Sequence, residues 1–562
     1  MIRRPPRSTL FPYTTLFRSN TVTREYILII RHTIHMKNTI LFLLGIGGAI
    51  VSFAQSYLPS PTSLNTWGDQ GNGTYINPIL NADYSDPDVI RVGNKYYMVA
   101  SDFHFLGMQV LESEDMVNWK LLSQVYSRFD FPGWDTNEHY AGGSWAPAIR
   151  HHDGKFWVFF CTPDEGLFMS NAANPAGPWS PLVNVCHVEK WEDPCPFWDD
   201  DGQAYLGRSI HGAGPIIIHK MSPDGTKLLD EGRTVYTGPV AEGTKIHKIN
   251  GYYYLSIPEG GVSEGWQTIL RSKNIYGPYE KKVVLEQGST NINGPHQGAM
   301  VDTPYGEWFF FHFQQYNPLG RVVHLQPMHW KNGWPVIGVD MDMNGIGEPV
   351  TVWTKPRTGK QSIITVPQTD DDFSSDKLSL QWQFNHNPEN KAWSLTEQKG
   401  MLTFHALKAS SFKQARNTLT QKTMGYKGTT TTKMIYTELA EGQYCGLACI
   451  GKENYLIGIA KQNGKTFLYF EKDGIIKQKE TISGEDIYLR LEADAKENNY
   501  QFLASQDGKS YKEIGTSFNM KFGNWKGVRI GLYCYNTQST DGKVAFDWFQ
   551  YEHDGPSIQN KH

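Results

Sequence analysis

From about Thr74 to about Thr354 the chain is a succession of short runs in which apolar and polar residues alternate, and almost no segment carries a helical period. Alternation of period two between turns is the pattern of half-buried strands. Five times a polar turn with one glycine is followed at once by aromatics, at Gly93, Gly154, Gly202, Gly251 and Gly306. These glycines lie roughly 50 to 60 residues apart, the period of propeller blades. Asn-Gly and Asp-Gly between apolar runs mark tight hairpins. One such unit cannot cover its own apolar faces, whereas five around an axis can. Residues 74–354 are therefore predicted to form a five-bladed β-propeller.

The pattern changes at Asp372-Phe373. Strands become longer, threonine and lysine increase, and turns such as Asn463-Gly464, Asp473-Gly474 and Asp507-Gly508 recur. Residues 372–556 are predicted to form an antiparallel two-sheet β-sandwich, with residues 355–371 as linker. The expected fold is all-β throughout.

The N-terminal region follows neither pattern. The stretch from Ile2 to Ser19 resembles a translated sequencing adapter, and residues 1–35 are read as an artefactual extension. Met36-Lys37-Asn38, an apolar run over residues 40–51 and the small-residue end Ser52-Phe53-Ala54 read as a signal peptide over residues 36–54. The run is too short for a membrane span. Residues 55–73 read as a lead-in segment, and the mature protein is expected in the periplasm or outside the cell.

Composition narrows the function classes. A net charge of −4 with interspersed signs argues against a nucleic-acid or anionic-membrane surface. The aromatic share of 13% suits strands and sugar-stacking surfaces. Six scattered cysteines without zinc-ligand spacing read as free buried thiols, with a Cys186–Cys195 pairing left open. Oligomeric state is not encoded in any of these features.

The chemistry is expected on the innermost strand of each blade, just before its hairpin. There the chain reads Ser85-Asp86-Pro87-Asp88, Ser144-Trp145-Ala146-Pro147, Glu192-Asp193-Pro194, Ala241-Glu242-Gly243 and Gly294-Pro295-His296-Gln297. Equivalent positions of different blades converge on the axis, which would bring carboxylates face to face. Charged carboxylates are costly to hold that way unless they are used. Glycosidic hydrolysis needs such a pair, one to protonate the leaving oxygen and one to activate water or attack. Asp86 and Glu242, on blades one and four, could face each other across a pocket, with Asp164 at a strand end of blade two as a third acid that raises the proton donor's pKa. Trp145 and Phe103 could wall a sugar, and Arg321, after a Pro-Leu-Gly turn, could reach substrate or a carboxylate.

These motifs in this order, preceded by Asn77-Pro78-Ile79-Leu80 and followed by Pro318-Leu319-Gly320-Arg321, resemble glycoside hydrolase family 43. The C-terminal region resembles the concanavalin-A-like jelly roll that accompanies its β-xylosidase-type members. The resemblance implies an inverting exo-hydrolase removing α-L-arabinofuranosyl or β-D-xylosyl residues from plant cell-wall oligo- or polysaccharides. It implies Asp86 as general base, Glu242 as general acid and Asp164 as the pKa-modulating acid, with Glu165 as the alternative. Trp145, Arg321, Phe103 and Asp193 are the implied substrate contacts. No cofactor is implied as required, but His296 resembles an axial histidine near which a metal ion or water sits, so Ca2+ at the axis is an expectation to test. The loop from Ser101 to Gly107 departs from the Thr-Phe-Glu-Trp type of many β-xylosidases and leaves room for arabinofuranosidase activity.

Inversion further predicts the Asp86 and Glu242 carboxyls about 6.5–9.5 Å apart. The rival class is a non-catalytic carbohydrate-binding propeller. Retaining fructosidases and sialidases are excluded by the absence of their motifs.

Overall fold

The computed structural model describes residues 65–136, 138–360 and 363–556. The expected extension and signal peptide lie outside them. Five four-stranded antiparallel sheets follow one another in chain order, each running from an inner first strand to an outer fourth. The first strands are Ser85–Val92, Trp145–His152, Trp191–Trp198, Lys245–Ile249 and His296–Asp302. They contact one another in sequence through the fourth. The fifth then meets both the fourth blade's second strand, Tyr252–Glu259, and the first blade's first strand, which closes a ring.

The glycine turns predicted from sequence join first and second strands. Asp153 and Gly154 have φ of 49° and 69°, and Asn250 and Gly251 have φ of 51° and 75°. Two successive left-handed residues are what a two-residue hairpin needs to match strand twist. The segment before the first blade seals the ring. Ile79 N–H donates to Val323 O at 2.8 Å and Tyr84 N–H to Arg321 O at 3.1 Å, on the third strand of the fifth blade. The end of the predicted lead-in is built into the fold, since Gly68–Asp69 pairs with Thr74–Ile76, which pairs in turn with Val352–Thr354.

Beyond residue 370 two antiparallel sheets stack, one centred on Gln443–Ile450 and Arg529–Asn536, the other on Lys427–Ile435 and Lys543–His553. Their inner faces supply Leu447, Ile457, Leu489, Phe502, Leu532 and Phe546 to one apolar cluster that also contains Tyr75, Trp119 and Val323 of the propeller region. The two regions therefore share a continuous core, worth roughly 25 cal/mol per Å² of apolar surface removed from water. Polar contacts add direction. The buried Asp102 accepts from Lys422 at 2.8 Å and Arg529 at 3.3 Å, and His104 Nε2 bonds Asn385 Oδ1 at 2.9 Å.

All six cysteines are free, so the Cys186–Cys195 pairing is not formed. No helix of the described residues is long and apolar enough to cross a membrane.

Candidate active site

Each blade departs from extended geometry at one equivalent position, within its first strand or, in blade four, just before it. Asp86, Ala146, Asp193, Gly243 and Gln297 have φ of 55°, 37°, 57°, 61° and 39°. Pairing with the second strand slips at this point in blades one, two, three and five. Such bulges re-aim side chains. At or beside these positions Asp86, Trp145, Ala146, Glu192, Asp193, Glu242, His296 and Gln297 face the axis. The fourth blade needs glycine, because a Cβ on Gly243 would lie 2.7 Å from Gln297 Cγ and 2.8 Å from the Pro258 ring.

These residues line a cavity of about 210 Å³ on the axis. Asp86 is buried, and both oxygens are engaged. Ser101 Oγ donates to Oδ2 at 2.6 Å and Arg321 Nη1 donates to Oδ1 at 3.0 Å. Ser101 Oγ also accepts from Ala146 N–H at 2.6 Å, tying blade one to blade two. The Arg321 guanidinium lies 4.7 Å above the Phe313 ring, which fixes its plane. Glu242 Oε1 accepts from His296 Nε2 at 2.6 Å. Asp193 Oδ2 accepts from Ser209 Oγ at 2.5 Å and Gly243 N–H at 2.8 Å, and Oδ1 accepts from Gln297 Nε2 at 3.0 Å.

Glu192, Asp193 and Glu242 each bring a carboxylate oxygen within 4.8 Å of the other two, and Asp86 is not one of that group. Three carboxyls so close cannot all be ionised. Burial, then the charges of Asp193 and Glu242, push Glu192 up to about 9. Burial and the Glu242 charge push Asp193 up to about 6, against the lowering hydrogen bonds from Ser209 and Gly243. Burial pushes Glu242 up as well, but the His296 hydrogen bond and the charges of His296, Arg321 and His211 outweigh it and hold this carboxyl below its ordinary value. The cluster therefore holds a proton more tightly than isolated carboxyls would. Interacting carboxyls titrate as one system.

Aromatic rings form the walls. Trp145 is anchored by Nε1 donating to Ala141 O at 2.8 Å and meets Phe103 edge-on at 5.9 Å. His211 packs against Trp145 at 4.9 Å. Trp525 comes from the sandwich, 44% exposed, with its ring 6.1 Å from Trp145 and 5.9 Å from the Arg321 guanidinium. Its turn is pinned by Gly527 N–H donating to Asp83 Oδ2 at 2.8 Å, while Arg321 N–H donates to Asp83 Oδ1 at 2.8 Å. A Cβ on Gly527 would strike Leu319 O at 1.7 Å, so only glycine permits this approach.

Of the residues expected from sequence, Asp86, Phe103, Trp145, Asp193, Glu242, His296 and Arg321 all line this cavity. Asp164 does not. It is exposed in the turn between Lys155–Thr162 and Gly166–Ala172, and its alternative Glu165 accepts from Trp134 Nε1 at 2.7 Å. The turn is tied inward by Thr162 Oγ1, which accepts from Glu165 N–H and Gly166 N–H, and this leaves Asp164 facing water. The acids beside Glu242 are Asp193 and Glu192. Glu192, His211, Gln297 and Trp525 were not assigned from sequence. The first and third sit in the same repeat register as the acids and could have been found there. Trp525 carries no local signal.

For the water-mediated Ca2+ expected near His296, the nearby oxygen donors are the carboxylates of Glu192, Asp193 and Glu242; His296 bonds Glu242 through Nε2, and its buried Nδ1 has no hydrogen-bond partner. Farther along the axis stand two cations, the fully buried Lys245 and the guanidinium of Arg150, with Asp88 bound to Arg150 at 2.6 Å.

Comparison with known proteins agrees with this architecture. The profile of "Glycosyl hydrolases family 43" matches residues 75–335, and that of "Beta xylosidase C-terminal Concanavalin A-like domain" matches residues 370–552. A protein of Xylanibacter ruminicola named putative beta-xylosidase is 59% identical over 465 residues, 83% of this chain and 87% of that one. The non-reducing end alpha-L-arabinofuranosidase BoGH43B of Bacteroides ovatus is 29% identical across 92% of this chain and 99% of its own. The crystal structure of the GH43 protein BlXynB from Bacillus licheniformis superposes with a TM-score of 0.74 at 25% identity, covering 85% of this chain and 99% of that one.

Proposed function

The chain belongs to glycosyl hydrolase family 43 and is a glycosidase, and from that premise we propose that it removes single terminal pentosyl residues, β-D-xylosyl first and α-L-arabinofuranosyl second, with inversion. The observation that carries this reading is the cavity. At about 210 Å³ it is smaller than the roughly 300–1,000 Å³ of drug-sized ligand sites. It suits one sugar ring, and Trp525 closes part of its mouth.

Asp86 is the proposed general base. Its oxygens are held by Ser101 and Arg321, which leaves the carboxylate aimed at a water on one face of the ring. Glu242 is the proposed general acid. Its proton comes from the pool shared with Glu192 and Asp193, whose nearest oxygens lie within 4.8 Å. Asp193 takes the modulating role expected of Asp164. Water attacks the anomeric carbon as the glycosidic C–O bond breaks. Asp86 receives the water's proton, and the leaving oxygen receives the proton from Glu242. Burial raises the acids' proton affinity, and the Arg321 guanidinium offsets negative charge on Asp86. The names carried by the relatives support the xylosyl and arabinofuranosyl preferences.

The test follows aryl β-D-xyloside and aryl α-L-arabinofuranoside hydrolysis by proton NMR. The expected first product from the xyloside is α-xylose, with faster turnover than the arabinofuranoside. Initial formation of β-xylose would overturn the inverting assignment, and failure to cleave either glycoside or short xylo-oligosaccharides would overturn the substrate assignment.

A further inference from the structure

The propeller axis has a second mouth. On the face opposite the acids, the far ends of all five first strands line a cavity of about 380 Å³: Val89 to Arg91, Arg150 to His152, Pro196 to Trp198, Ile246 to Ile249, and Met300 to Asp302. The two mouths have opposite character. Four carboxylates surround the first. The second presents Arg91, Arg150, Lys248 and three histidines, His151, His152 and His247, against one lining carboxylate, Asp302.

Several of these charges are already paired. Arg91 grips Asp302 with two hydrogen bonds of 2.9 and 2.7 Å, Lys248 bonds Asp199 and Asp200, and Arg150 bonds Asp88. One cation without an ion-pair partner lies deeper. Lys245 is fully buried, its Nζ donates only to Pro147 O at 3.3 Å, and no described carboxylate lies within 4.0 Å of it. At that depth Asp88 bonds Arg150 through Oδ2. The Nε2 of His247 is buried without a hydrogen-bond partner. Above them, the His152 ring stacks on Trp198 at 4.7 Å and 10°, which holds its plane at the rim. A buried ammonium without a counter-charge is costly, and so is a buried ring nitrogen without a partner.

We propose that this second mouth binds a compact oxyanion, a free phosphate or the carboxylate of a sugar acid, over Arg150 and His247. The one carboxylate lining this mouth, Asp302, is held by Arg91, so the mouth offers no free carboxylate to a divalent cation. Cations fixed around a concave, partly desolvated mouth bind anions more strongly than exposed ones do, because water screens them less.

Titration calorimetry on the full chain in low-salt, oxyanion-free buffer tests this, with inorganic phosphate, glucuronate and calcium chloride as separate titrants. The expected result is saturable one-site heat with phosphate or glucuronate, the tighter of the two identifying the source, and none with calcium. His247→Phe keeps the ring volume and should weaken anion binding by about tenfold, the scale of one hydrogen bond to a charged group. His152→Glu, at the partly exposed rim, should weaken it as well, by like charge, and does not depend on the first variant folding. Absence of saturable heat with both anions overturns the proposal. So does anion binding unchanged in both variants, as does calcium binding that either variant abolishes.

Discussion

Blades one and three carry the same local device. In each, an aspartate followed by proline sits at the bulge, with φ of 55° for Asp86 and 57° for Asp193. In each, a serine from the second strand donates to Oδ2, at 2.6 Å from Ser101 and 2.5 Å from Ser209. The backbones are interchangeable, but the neighbours are not. Asp86 follows Ser85 and faces the Arg321 guanidinium. Asp193 follows Glu192 and faces Glu242, so burial and like charge push it up to about 6. One repeated construction therefore yields a carboxylate beside a cation and a carboxyl within a proton-sharing cluster. Position in the repeat aims the side chain, and the neighbouring charge decides what it does.

The sharpest way to break this comparison is to neutralise each aspartate in turn. Asp86→Asn should lower kcat by about 10²–10⁴-fold, the usual worth of general acid–base catalysis, as read from steady-state xyloside hydrolysis. Asp193→Asn should cost less, about tenfold or more, and should move the pH profile of kcat/KM rather than only scale it. Equal losses with unchanged pH profiles would show that the two blades do not differ in the way described.

Trp525→Ala probes the non-repeating part of the site. It should raise KM about two- to tenfold with a smaller change in kcat, the range expected for losing one aromatic contact. Glu192→Gln examines the cluster through stability. With its carboxyl raised to about 9, folded protein holds a proton that the unfolded chain has already released. Folding stability from this group is therefore present below the ordinary glutamate value and falls as pH rises toward 9. Thermal melts between about pH 5 and 9 should show a flatter Tm profile in the variant than in the wild type. The smallest effect belongs to Asp164→Ala, which should leave kcat/KM within about twofold, as surface substitutions usually do.

What was legible in the sequence was whatever the repeat imposed. The glycine turns marked five hairpins, and the residues preceding them located Asp86, Asp193, Glu242 and His296 at one cavity. Asp164 misled because it ends a strand on the correct blade, and strand order alone does not say which way a turn residue points once Thr162 has closed the turn. Trp525 was invisible for a different reason. It reaches the cavity through packing between residues more than 400 positions from the first-blade acids, and no local period encodes such a contact. The charge on the axis was equally unreadable, since Lys245 and Arg150 look like ordinary alternating strand residues until five strands bring their ends together.

The Asp83 carboxylate grips Arg321 with one oxygen and the turn that carries Trp525 with the other. For anyone recombining modules among related enzymes, this makes the cut between the two domains a poor seam. A chimera that exchanges the C-terminal module also exchanges a wall of the sugar pocket, and unless the glycine-bearing turn keeps its match to Asp83, it disturbs the arginine beside the proposed base. Substrate choice in this architecture would be tuned by grafting that short turn together with its aspartate, leaving both flanking scaffolds in place.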